Sequence, residues 1–150
     1  LVRRFVRVVT NSLPIAQTFS AETDSTLTLV GGSYRPEAGS FIGPLAEEAI
    51  GTVRVDIAFV GATAFTGGGA FYCQNATEGQ AKRRFLEVAR RRVILADTTK
   101  FEARAFARFA RAEEVDVLVT DASFPGIDSI RAAGIEVVIA TPLDSMAHTA

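Results

Sequence analysis

The chain has 150 residues, 48% of them hydrophobic, and its 16 Lys+Arg against 17 Asp+Glu leave a formal net charge of −1. Length and apolar content suit one domain with a packed core. The near-neutral balance is a poor electrostatic match for nucleic acid on its own, and no apolar run approaches the roughly 20 residues of a membrane span.

Single residues exclude more. Cys73 is the only cysteine, so no internal disulfide can form, which fits a reducing cytoplasm. His148 is the only histidine and lies two residues from the end, which argues against a His-centred triad or a multi-His metal site. Only Lys82 and Lys100 are lysines; the other 14 basic residues are arginines. A compact ammonium and a planar fork are not interchangeable at a tight site, so both lysines are worth marking. Leu1 is not an initiator methionine, and Val2-Arg3-Arg4 carries no signal-peptide pattern. The sequence therefore reads as a fragment of a longer protein, truncated at its N-terminus.

In chain order, Phe5-Val6-Arg7-Val8-Val9-Thr10 reads as a strand. Asn11-Ser12 then caps a helical turn that opens on Leu13-Pro14, where a proline removes an N–H that would have no partner. Thr26 to Val30 is a second strand closed by Gly31-Gly32, and a helix is predicted from Pro44 to Gly51. Val55 to Val60 forms the next strand, ended by Gly61. After Gly67-Gly68-Gly69, read as permitting a close backbone crossing, comes the longest helical pattern, Thr77 to Arg92. Val93-Ile94-Leu95-Ala96, Val117-Leu118-Val119 and Val137-Val138-Ile139 are buried-type strands, the last preceded by a short helix between Gly126 and Gly134. Strands that are apolar throughout and alternate with helices predict an α/β domain, a mainly parallel sheet covered by helices on both faces.

In such folds ligands bind outside the carboxyl ends of the strands. The residues there are Asn11, Gly31-Gly32 with Arg35, Gly61 with Thr63, Asp97 to Lys100, and Thr120-Asp121. Turns and caps explain each position separately, but turns do not require a lysine. On the long helix, positions 78, 82, 85 and 89 share one face, so Phe85 and Ala89 should pack on the sheet while Glu78 and Lys82 extend the same stripe. Two charges there must pair or line a cavity; the cavity-facing pair is preferred over a peripheral salt bridge. Arg83, Glu87 and Arg91 form the solvated side. Asp97-Thr98-Thr99-Lys100 groups a carboxylate, two hydroxyls and a cation. That set suits a phosphorylated polyol: Lys neutralises the anion, hydroxyls donate, and Asp accepts from sugar hydroxyls. No dinucleotide fingerprint, phosphate-binding P-loop or Cys/His metal spacing is present, so no cofactor and no metal are expected. Cys73 reads as a small packed side chain.

The ordered set of Val9-Thr10-Asn11-Ser12-Leu13, Gly31-Gly32 with Arg35, Gly43-Pro44, Asp56 to Ala62, Gly68-Gly69, Glu78 with Lys82-Arg83, Leu95 to Phe101, and Thr120-Asp121 resembles the C-terminal sensor domain of the DeoR family of bacterial transcriptional regulators. The likeness covers nearly the whole chain. It implies a fold similar to sugar-phosphate isomerases and coenzyme A transferases, and an N-terminal winged helix-turn-helix that would lie upstream of Leu1. It also implies a phosphorylated sugar as effector, whose binding changes operator affinity in a cytoplasmic repressor of sugar catabolism. In the family pattern the Asp and Lys of Asp97-x-x-Lys100 belong to the effector site, and Asn11, Glu78 and Lys82 match positions near the same crevice. Arg35, Thr99 and Asp121 complete the candidate set. The family's opening strand with its Asp-x-Gly-x-Thr-type loop has no match here. If a parallel strand is missing with it, the exposed sheet edge would favour self-association, hence a homo-oligomer. The competing reading is an isomerase-like enzyme with Asp97 or Glu78 as base and Lys100 as electrostatic stabiliser. A plain protein-interaction domain explains the greasy core but not the polar strand ends.

Overall fold

The computed structural model describes residues 5–20 and 25–140, so the readings made on residues 1–4 and on His148 lie outside the described residues. The chain divides into two compact units, residues 1–53 and 54–150.

In the first unit, β1 (Val6–Thr10) and β2 (Ser25–Leu29) pair in parallel from Val6↔Ser25 to Thr10↔Leu29, joined through α1 (Leu13–Ser20). A short antiparallel hairpin follows, β3 (Ser33–Arg35) and β4 (Ser40–Ile42), around a 3-10 turn at Pro36–Ala38. The sequence reading had no strand here, because three-residue strands carry too little alternation to register. Helix α2 (Pro44–Gly51) spans the predicted range, with Pro44 in its first turn, and buries Ala46 and Ile50, which are four residues apart and so share one face.

The second unit holds β5 (Val55–Gly61), β6 (Ala64–Phe65), β7 (Phe71–Cys73), α3 (Ala76–Val88), β8 (Ala89–Leu95), β9 (Ala107–Ala110), β10 (Val117–Thr120), α4 (Ile127–Ala132) and β11 (Glu136–Ile139). Four of these strands form a parallel sheet in the order β11-β10-β8-β5, and β6-β7-β9 form a separate antiparallel sheet. The fold is thus α/β with a mainly parallel sheet. Its core gathers Ala58 and Val60 of β5, Ile94 of β8, Leu118 of β10, Leu86 of α3, Ile130 of α4 and the rings of Phe65, Phe71 and Phe109. On the other face of β5, β8 and β11, Ile57, Phe59, Leu95 and Val138 are exposed.

Strands β6, β7 and β9 were not expected from the sequence either, and the long helix ends earlier than predicted. The long helix stops at Val88, and Ala89 to Arg92, predicted as its last turn, is the first half of β8. Arginine favours helix weakly, but sheet pairing decides the outcome. Ala89 to Arg92 lies in register with Val55 to Ala58, and the arginines find cross-strand partners there. The Arg92 guanidinium donates from Nε and Nη2 to both Asp116 carboxylate oxygens at 3.0 and 2.7 Å, and Arg91 reaches Glu136 at 2.9 Å. The ends of α3 follow local chemistry: Asn75 is its cap and its side chain accepts from Glu78 N–H at 3.0 Å. The triple-glycine run is a tight turn between β6 and β7, and the close approach expected there is real. Gly69 has φ +76, and a Cβ on it would sit 2.7 Å from the Cβ of Ala112.

Candidate functional site

Six of the eight predicted site residues belong to the second unit, and they cluster around the carboxyl ends of β5, β8 and β10. Glu78 and Lys82 lie one turn apart on α3, with their side chains only 18% and 19% exposed. Lys82 Nζ is 2.7 Å from Glu78 Oε1, donates to the carbonyl of Gly61 at 2.8 Å, and stands 5.5 Å from the centre of the Phe109 ring. The two charges thus form an ion pair, and its ammonium is engaged in bracing the last residue of β5. Phe85, expected on the packed face, is partly buried against the core, whereas Leu86 beside it is buried outright.

From Gly61 the network continues across the strand ends. Ala62 N–H donates to the Leu95 carbonyl at 3.1 Å, and Ala96 N–H donates to that of Val119 at 3.1 Å. Asp97 then opens a one-turn 3-10 helix, Thr98–Lys100, and its Oδ1 accepts from Thr99 N–H at 2.9 Å and from the Thr99 hydroxyl. Asp121, just past β10, holds the same turn from the other side by accepting from Thr98 N–H at 2.8 Å through its Oδ1. Both carboxyls are exposed and held below the usual carboxylate range, Asp97 chiefly by the Thr99 hydroxyl and Asp121 chiefly by the Thr98 N–H. Each uses its Oδ1 to fix the turn. Lys100, partly buried at the end of that turn, makes no ion pair among the described residues. The result is a loop whose turn is fixed from both sides, bearing two ionised carboxylates and, close enough to Asp97 to help hold its carboxyl down, an ammonium with no ion pair among the described residues.

The loop's exit is also fixed. Phe101 packs against Phe65 and Phe124, with ring centroids 5.6 and 4.9 Å apart, and its ring occupies the space a side chain on Gly126 would need. Glu102 has φ +54, the one non-glycine residue with positive φ among the described residues. Its N–H donates to the Phe65 carbonyl at 2.8 Å, and its Oε1 accepts from Gly67 N–H at 3.0 Å. Sequence reasoning missed Glu102 and Gly126. Gly126 stands before a short helix, as any cap might, and no pattern in Phe101-Glu102 signals a left-handed backbone.

Asn11 and Arg35 belong to the first unit. The Asn11 side-chain amide donates to the Phe41 carbonyl at 2.8 Å, tying the end of β1 to β4, and Arg35 lies 3.5 Å from Glu37. At the amino ends of β5, β8, β10 and β11 there is an open depression of about 560 Å³ lined by Asp56, Arg90, Arg91, Asp116 and Glu136. Three of those side chains, Arg91, Asp116 and Glu136, are already in ion pairs. No three or more His, Cys, Asp or Glu residues are placed to hold a metal ion, and no helix is long and apolar enough to cross a membrane, among the described residues.

A family profile described as the DeoR C terminal sensor domain matches residues 1–122. The chain belongs to the DeoR sensor family. It is 32% identical over 132 residues to the HTH-type transcriptional regulator GlpR of Haloferax volcanii, covering 87% of this chain and 51% of that protein. It is 29% identical over 120 residues to the glycerol-3-phosphate regulon repressor of Escherichia coli, covering 80% and 48%. With the HTH-type transcriptional repressor GlcR of Bacillus subtilis it shares 28% identity over 114 residues, covering 76% and 44%. The DeoR sensor chain thus spans about half the length of these curated relatives, and the relatives are transcriptional regulators.

Proposed function

We propose that this chain is the effector-sensing part of a DeoR-type repressor, and that its effector is a phosphorylated sugar or small phosphorylated polyol bound at the carboxyl ends of β5, β8 and β10. The observation that carries this reading is Lys100. Among the described residues its ammonium has no ion-pair partner, while the turn beneath it is held from both sides by Asp97 and Asp121. Lys100 would meet the phosphate, and the outer oxygens of Asp97 and Asp121 would accept from sugar hydroxyls. The relatives' printed names, one of them a glycerol-3-phosphate regulon repressor, fit this ligand class. Operator binding would be the task of an upstream DNA-binding part, biased because the effector favours one arrangement of the assembled protein. A homo-oligomer in the cytoplasm belongs to the same reading, supported by Ile57 and Phe59 exposed on β5, which pairs only with β8 among the described residues.

The isomerase alternative fares worse on the same geometry. A general base works best with a pKa raised toward the working pH. Asp97 is shifted the other way, and Glu78 is committed to Lys82. The test is calorimetric titration of the chain with a panel of phosphorylated sugars and glycerol 3-phosphate. Wild type should bind one member, and Lys100→Ala should lose that binding with an unchanged melting midpoint. Equal binding by both would remove Lys100 from the effector site.

A further inference from the structure

We infer that Glu102 is a positioning residue for Lys100, an inference that rests on reading Lys100 as the cation that meets the effector. Lys100, Phe101, Glu102 and Ala103 form a type II β-turn: Phe101 has φ −66 and ψ 126, Glu102 has φ +54, and Ala103 N–H donates back to the Lys100 carbonyl at 3.3 Å. The third position of that turn calls for a left-handed backbone, which glycine adopts freely and a glutamate adopts against its own Cβ. A glycine would make the same turn with less strain, so the glutamate side chain must do something to offset it.

Its contacts say what. Through its N–H and its carboxylate, Glu102 fastens the turn to two points of one hairpin, the Phe65 carbonyl and the Gly67 N–H. Phe101 is seated beside it among Phe65, Phe124 and Gly126. On the other side, Lys100 N–H donates to the Asp97 carbonyl at 3.0 Å. The backbone of Lys100 is therefore clamped at both ends, and its ammonium starts from a fixed base. A cation held this way loses less freedom when an anion arrives, and small displacements of such a base are costly to binding. The left-handed Glu102 is strain kept for the sake of that clamp.

The experiment compares wild type, Lys100→Ala, Glu102→Gln and Glu102→Gly. Affinity is measured for glucose 6-phosphate, glycerol 3-phosphate and inorganic phosphate, alongside melting midpoints and the amide NMR signal of Gly67. Glu102→Gly relieves the backbone and removes the carboxylate. It should melt within a few degrees of wild type, shift the Gly67 amide, and weaken the best-bound probe up to about tenfold, the cost of having to order one long side chain on binding. Glu102→Gln keeps an acceptor for Gly67 N–H and should restore affinity to within about twofold of wild type. If Glu102→Gly binds like wild type while Lys100→Ala does not, the inference is overturned and the role of Lys100 stands. Affinity lost only in step with a lowered melting midpoint would also overturn it, because that is what a purely structural glutamate does. If wild type and Lys100→Ala are indistinguishable with every probe, the reading of Lys100 falls and the inference with it.

Discussion

Gly126 and Phe101 form the tightest single-residue constraint near the site. A Cβ built on Gly126 would lie 2.3 Å from Cζ of the Phe101 ring, closer than any real contact allows. The ring cannot simply swing away, since Phe65 and Phe124 hold it on other sides. Gly126→Ala should therefore destabilise the chain by about 2–3 kcal/mol, in the range of overpacked cores, which a denaturant melt would register as a lower midpoint at constant slope. An unchanged midpoint would mean that Phe101 has another place to go. At this scale the sequence told only part of the story. Asp97, Lys100 and Asp121 were legible because carboxylates and a lysine directly after apolar strands stand out from turn chemistry. Glu102 was not, since what sets it apart is a backbone angle and a partner 35 residues away, neither of which leaves a mark on local spacing.

At the scale of elements, runs such as Ile57 to Val60 and Val117 to Val119 announce themselves by continuous β-branched and apolar residues, and they are strands in the structure. The three-residue strands β3, β4 and β7 do not, and Ala89 to Arg92 was misread as helix because its ion-pair partners, Asp116 and Glu136, come from β10's approach and from β11. Arg92 and Asp116 can be tested directly. They exchange both a side-chain fork and backbone bonds: Arg92 N–H donates to Asp116 Oδ2 at 2.8 Å, and Asp116 N–H donates to the Arg92 carbonyl at 2.9 Å. The Arg92 guanidinium holds the Asp116 carboxyl below its ordinary range. A carboxyl lowered on folding adds stability above its unfolded value of about 4, and that stability is lost as the pH falls through the folded value. Asp116→Asn should thus cost about 0.5–1 kcal/mol near pH 7, discounted because the pair is partly exposed, and that cost should shrink as the pH falls through the folded value. A constant difference between the two chains at all pH values would show that ionisation of Asp116 is not what is lost.

At the scale of the molecule, the parallel sheet has two chemically different ends. At the amino ends, two arginines of β8 are matched with carboxylates, Arg92 with Asp116 at the approach to β10 and Arg91 with Glu136 of β11. At the carboxyl ends, α3 braces β5 through Lys82, the Asp97 turn is pinned by Asp121, and Lys100 keeps an ammonium without an ion-pair partner among the described residues. The α/β class follows from the alternation of greasy strands with helices, and the polar strand ends follow from where such folds take ligands. The ligand's identity does not follow from either, because phosphate and sugar hydroxyls are recognised by groups that many loops share. The measurement that tests the central claim most directly is two-dimensional NMR of the 15N-labelled chain during titration with the best-bound phosphorylated sugar. Saturable shifts concentrated at Gly61, Asp97 to Glu102 and Asp121 are expected, with Arg91, Asp116 and Glu136 unmoved. Shifts confined instead to the depression at the amino ends of the strands would contradict that claim.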